Sequence, residues 1–188
     1  MENLSIQIFT TLPDELKQQT EELRFIAFHK QEHTEKQKAL FADKYVFEEG
    51  SFAYVIAYAY NKPVGYMRLF KRRIHFDKNP LLLGGIGGVC TAPAYQHQGI
   101  ATKMLQRAVE KLKKENCDIA FLCTDIEKLH TLYRQVGFVP LNKAYTSTGK
   151  SGHQYTDFDG MIAPINSQAL LEEVLQSNLP FHLEGQAW

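Results

Sequence analysis

The chain has 188 residues, 44% of them hydrophobic and 22% charged. That is enough for one domain with a real core and too few for two comfortable ones. Lysine plus arginine (21) equals aspartate plus glutamate (21), a net charge of +0. This removes the electrostatic case for a nucleic-acid binder. No apolar run approaches the ~20 residues of a membrane span. The start, MENLSIQIFT, lacks the basic and apolar regions of a signal peptide. Cys90, Cys117 and Cys123 are an odd number without metal-ligand spacing. Two of them fall in expected core strands, so buried, reduced thiols and a cytoplasmic location are the expectation.

Leu4 to Phe9 alternates apolar and polar side chains, the pattern of a half-buried strand. Pro13-Asp14-Glu15 opens a helix that runs to about His29, with Leu16, Leu23, Ile26 and Ala27 as its apolar stripe. A second helical piece spans Thr34 to Tyr45, with Leu40, Phe41 and Tyr45 on one side. Phe52 to Tyr60 is aromatic and β-branched, Asn61-Lys62-Pro63 is a turn, and Val64 to Phe70 is the returning strand. Lys71-Arg72-Arg73 follows. It reads as a solvated strand end, with a contact to a phosphate as the alternative. Asn79-Pro80 is a further turn, and Leu81 to Thr91 a fourth strand rich in glycine. Its glycines mean that something approaches the backbone closely, or that the segment is a flexible loop.

Pro93 closes this strand. Gln96-His97-Gln98-Gly99-Ile100-Ala101 leads into a helix whose apolar positions are Ala101, Met104, Leu105, Ala108 and Leu112. The first N–H groups of a helix have no partner within it and attract anions, and small residues at Gly99 and Ala101 leave room for a phosphate. Glu115-Asn116 ends the helix, and Ile119 to Thr124 reads as a strand buried on both faces. Thr124 or Asp125 caps a helix with Leu129, Leu132, Tyr133 and Val136 on its apolar side, which Gly137 stops. Phe138 to Leu141 starts a strand, Ala144 to His153 is a polar loop or hairpin tip, and Tyr155 to Ile165 is the last strand. Asn166 or Ser167 caps a short helix through Leu175. Residues 166–188 then dock, through the apolar tail LPFHLEGQAW, on a single domain spanning 1–188.

Gln96-x-x-Gly99-x-Ala101, a following strand, and Tyr133 shortly before Gly137-Phe138 together resemble the GNAT N-acetyltransferases. The resemblance implies an α/β (α+β) fold with a mixed, mostly antiparallel central sheet. The sheet is splayed between its fourth and fifth strands and has helices on both faces. It implies acetyl-CoA as cosubstrate, no metal, a small-molecule amine as acceptor, and often a homodimer. Val89, Cys90 and Thr91 would meet the pantetheine and thioester. Gln96, His97, Gln98, Gly99, Ile100, Ala101 and Thr102 would meet the pyrophosphate. Tyr133 would be the proton donor to the leaving thiolate, the other reading being a core tyrosine. Some family members carry a glutamate base in the fourth strand; here those positions are Gly84 to Gly88 without an acid. His75, Asp125, Asp157, Asp159 or water remain as bases. The C-terminal stretch, Ala163-Pro164-Ile165 to Gly185-Gln186-Ala187-Trp188, also resembles the aminoglycoside 2′-N-acetyltransferases. That likeness makes Asp157 and Trp188 substrate contacts, the alternative for Trp188 being a hydrophobic plug. A protein or peptide acetyltransferase, or a module that binds acetyl-CoA without turnover, are the competing functions.

Overall fold

The computed structural model describes residues 4–28, 34–46 and 50–188. The expected helix end at His29 lies outside them. The elements are β1 (Leu4–Phe9), α1 (Asp14–Phe28), α2 (Glu35–Lys44), β2 (Ser51–Ala59), β3 (Lys62–Phe76) and β4 (Asn79–Thr91). A 3-10 turn (Pro93–Tyr95) leads to α3 (Ile100–Lys114), β5 (Ile119–Cys123), α4 (Ile126–Arg134) and β6 (Val139–Pro140). Then come β7 (Tyr145–Thr148), β8 (Gln154–Asp157), β9 (Gly160–Pro164), α5 (Gln168–Gln176) and β10 (Phe181–His182).

Strand alternation sorts the core onto two faces. Val55, Ala57, Met67 and Leu69 meet Met104, Leu105, Ala108 and Leu112 of α3. All four helix residues are fully buried, each large one contributing about 1.5–3 kcal/mol. The intervening residues Ile56, Tyr66 and Cys90 pack on the other face, against Leu16 and Leu23 of α1. Farther along that face, Phe70, Ile74, Leu83 and Phe121 meet α5, Phe181 and Trp188.

The main sheet has seven strands in the order β1-β2-β3-β4-β5-β9-β6, and β10-β7-β8 form a second, small sheet. All neighbours in the main sheet are antiparallel except β4 and β5. Those two pair only from Leu83↔Ile119 to Gly85↔Phe121. Beyond Gly85 they diverge, which is the splay expected between the fourth and fifth strands. On its other edge β4 carries a bulge. Gly87 faces Arg68 and Cys90 faces Tyr66, so Gly88 and Val89 stand opposite the single Met67. Gly88 has φ +63°, a backbone that favours glycine.

The caps of α4 and α5 follow the sequence signals, and that of α2 is added by the structure. Thr34 and Gln37 form a capping box on α2, Asp125 caps α4, and Ser167 caps α5. Four expectations need correction. β3 does not stop at Phe70 but runs to Phe76, because it stays paired with β4 through Phe76↔Asn79 and the basic run finds partners on other elements. Lys71 pairs with Glu115 at 2.6 Å, and the Arg72 guanidinium donates to Leu183 O and Gln186 O at 2.8 and 3.0 Å. Two members of the run are therefore engaged by other elements, while Arg73 is exposed. The run also sits at the far end of β3 from the Gly65↔Thr91 pair, away from the Gln96–Thr102 loop. Ala144 to His153 contains a true strand, β7, sandwiched between β8 and β10. The single last strand is two strands in different sheets, broken at Phe158-Asp159. Gly160 restarts it flush on Phe121, where a Cβ would lie 2.6 Å from the ring. Finally, Ile26 is 52% exposed rather than part of the α1 stripe, since it faces a cavity instead of the core.

Candidate active site

Where β4 leaves β5, its edge over residues 86–91 has no strand partner on the β5 side among the described residues. Val89, Cys90 and Thr91 lie on this stretch. Cys90 points into the α1 face, and burial pushes its thiol up to about 12. The chain then turns into α3. Gln96 Nε2 donates to Thr91 O at 3.1 Å and Gln98 Nε2 to Ala94 O at 3.1 Å, which fixes the loop to itself. His97 and Gly99 have φ +59° and +74°. A Cβ at Gly99 would meet nothing within 4 Å, so the backbone there is open to a ligand. The first helical bond is Lys103 N to Gly99 O, leaving the N–H groups of Ile100, Ala101 and Thr102 ahead of it. Ile100 is buried, and Thr102 Oγ1 donates to Gln135 Oε1 at 2.9 Å, joining α3 to the end of α4. An open backbone, glycine at the turn and a 15-residue helix starting there suit a pyrophosphate.

Tyr133 lies on α4 and is 5% exposed, edge-on to Phe138. Burial raises its pKa, against a smaller opposing hydrogen bond with the Thr124 side chain. Thr124 stands at the open end of β5 and also lines the cavity on the α1 side of the sheet.

That cavity, about 1230 Å³, is walled by α1 (Phe25, Ile26, Phe28), α2 (Phe41, Ala42, Tyr45) and Trp188. Gly88 and Cys123 to Asp125 line it where the strands part. Its charged residues are Glu21, Glu22, Asp125 and Asp159 against Arg24, Lys38 and Arg68. Sequence reasoning did not single out several of these residues. Phe25, Phe28 and Arg68 carry no motif, and only the exposed apolar positions of α1 could have hinted at it.

Trp188 reaches the cavity with its ring 5% exposed. It stacks on Phe70 with centroids 5.6 Å apart, and Nε1 donates to Phe121 O at 3.1 Å. The Cys123 thiol donates to Trp188 O at 3.0 Å, and burial pushes that thiol up to about 12. Asp157 does not line the cavity: Oδ1 accepts from Lys44 Nζ at 2.6 Å. Of the other acid–base candidates, His75 is on the far end of β3 beside Glu184. Asp125 is held by Lys128, which lowers its pKa. Asp159 lines the cavity. Among the described residues no group of His, Cys, Asp and Glu is arranged to hold a metal ion, and no helix is long and apolar enough to cross a membrane.

The sequence matches the family described as acetyltransferase (GNAT) domain over residues 11–141. N-alpha-acetyltransferase 30 of Saccharomyces cerevisiae is 31% identical over 70 residues. That match covers 36% of this chain and 40% of the yeast protein, well under two thirds of it. The fold is similar to Eis1 from Mycobacterium abscessus (TM-score 0.55, 13% identity, 77% of this chain and 32% of that one). It is also similar to a chain of the NatC complex bound to Gag peptide and CoA (TM-score 0.56, 19% identity, 86% and 98%). With the splayed sheet and the Gly99 turn in place, and the family match covering more than half of its length, this chain belongs to the GNAT acetyltransferase family.

Proposed function

We propose that the protein transfers an acetyl group from acetyl-CoA to a primary amine of a small acceptor held between α1, α2 and the open end of β5. One observation carries this reading. The divergence of β4 and β5 after Gly85 and Phe121 gathers a bare strand edge, the Gly99 helix start and a cavity around one gap. Acetyl-CoA supplies an activated acetyl thioester. The N–H groups at Gln96 to Thr102 bind its phosphates. The edge of Val89 to Thr91 offers N–H and C=O groups to the pantetheine amides, as a strand edge does to an added strand. N–H groups at the bulge polarise the thioester carbonyl in this reading. The acceptor's ammonium first loses a proton to water. The neutral amine then attacks the thioester carbonyl, its N–C bond forms as the C–S bond breaks, and its surplus proton passes to water. Tyr133, kept protonated by its burial, donates a proton to the leaving sulfur.

The cavity wall favours an acceptor with an apolar body. A polycationic aminoglycoside finds little support, because Arg24, Lys38 and Arg68 share the cavity with its acids. A second reading, transfer to the N-terminal amine of a peptide, is favoured by the likeness to N-alpha-acetyltransferase 30 and to the peptide-bound NatC complex. A coenzyme-release assay against arylalkylamines, polyamines, aminoglycosides, amino acids and short peptides tests both. Turnover of small monoamines supports the first reading, and turnover of peptides alone supports the second. Coenzyme binding with no turnover on the whole panel argues for a non-catalytic module.

A further inference from the structure

The cavity holds one carboxylate that the fold fixes in place and does not consume. Asp159 sits between β8 and β9. Its main-chain O accepts from Thr124 N at 3.0 Å, which ties it to the open end of β5. Its Oδ1 accepts from Tyr145 Oη at 2.9 Å. Tyr145 is fully buried, edge-on to Phe121 with centroids 4.8 Å apart, so this bond comes from a rigid donor. Among the described residues Oδ2 accepts no hydrogen bond.

The other acids of the cavity are differently placed. Asp125 is engaged by Lys128 through both its cap and its ion pair. Glu21 and Glu22, exposed like Asp159, lie on α1, with Glu21 facing Arg24 at 4.0 Å. Of the cavity's basic residues besides Arg24, Lys38 pairs with Glu35 at 2.7 Å. A single carboxylate fixed by a buried donor suits a guest with one positive charge. The cavity wall also carries the apolar or aromatic side chains Phe41, Tyr45, Val46 and Trp188.

We infer that Asp159 Oδ2 binds the ammonium group of the acceptor, and that the acceptor is a monoamine carried on an aromatic or aliphatic body. This rests on the reading of the cavity as the acceptor site. Asp159 then places the nitrogen beside Thr124, whose side chain contacts Tyr133. The amine and the proposed proton donor are thus brought to opposite sides of one residue at the mouth of the splay.

The test is calorimetric titration of the full chain with phenethylamine and with its neutral isostere, phenethyl alcohol. The parent protein is expected to prefer the amine. Asp159→Asn keeps an oxygen for Tyr145 and removes the charge. It should lose roughly tenfold or more of that preference while binding the alcohol as before. Tyr145→Phe, which frees the carboxylate to rotate, should lose less. The inference is overturned if the parent protein shows no preference for the amine, or if Asp159→Asn retains it. Adding acetyl-CoA separates the two proposals. An Asp159-dependent preference without acetylation of the bound amine removes the transferase reading and leaves the amine site standing.

Discussion

Tyr133 is buried between α4 and Phe138, and that burial raises its pKa above the ordinary 10.0 of a phenol. A phenol in this state stays protonated through neutral pH, which the proposed role as proton donor requires. Tyr133→Phe is expected to lower kcat about a hundredfold and to leave acetyl-CoA binding unchanged, measured by single-turnover kinetics beside calorimetry. At the same scale, Glu115 joins β3 to α3. It accepts from Lys111 and Lys71, both at 2.6 Å, and these bonds lower its pKa from 4.5 to about 2. A carboxylate depressed in the folded state stabilises above its ordinary pKa and loses that contribution as pH falls through the depressed one. Glu115→Gln should therefore cost about 1 kcal/mol or less at neutral pH. In urea titrations the gap to the parent protein should close as pH falls from 4.5 toward about 2. Tyr133 and the Gly99 loop were legible in the sequence because they belong to a motif. The Lys71–Glu115 pair joins residues far apart in the chain, and nothing local announces it.

The fourth strand, β4, shows what its glycines are for. A Cβ at Gly85 would lie 2.2 Å from Trp188 Cε2, and one at Gly84 would crowd Leu112 from the other face at 3.0 Å. Close approach was one of the two readings of this run. The structure names the approaching groups as an indole ring and a leucine of α3. Gly88 differs, since its φ of +63° forms the bulge. Gly85→Ala must push against a ring held by Phe70 and by the Phe121 carbonyl, so it should cost about 1–3 kcal/mol. The same substitution in a Trp188→Ala background should cost distinctly less. A double-mutant cycle of urea midpoints measures this coupling.

Across the whole molecule, the small sheet and the tail brace the cavity beside α2. The helix α2 has no buried residue, yet it supplies Phe41, Ala42 and Tyr45 to the wall. Its C-terminal end is tied down from three sides. Asp43 accepts from Ser151 N, Ser151 Oγ and Tyr155 Oη, Lys44 pairs with Asp157, and Gln186 Nε2 donates to Asp43 O. Asp43→Ala should loosen α2 without touching either main core cluster. Amide exchange in residues 35–45 should rise and the KM for an amine should increase several-fold, while the unfolding midpoint of the main sheet barely moves. Equal protection of α2 in variant and parent would refute this bracing role.

Sequence alone determined the parts whose physics is local. Apolar periodicity marked α3 and its buried stripe, side-chain caps marked the starts of α4 and α5, and the Gln96–Ala101 spacing marked the glycine turn into α3. Tertiary structure decided the rest. Only the folded sheet carries β3 past a basic run, because β4 stays paired with it while Glu115 and the tail engage Lys71 and Arg72. Only there is the last strand divided between two sheets and Trp188 laid under Gly85. Likewise Asp157 is paired with Lys44 while Asp159, two residues on, reaches the cavity beside a buried tyrosine. These outcomes depend on contacts between residues tens of positions apart, and burial and hydrogen-bond satisfaction select them only once the sheet has closed around them.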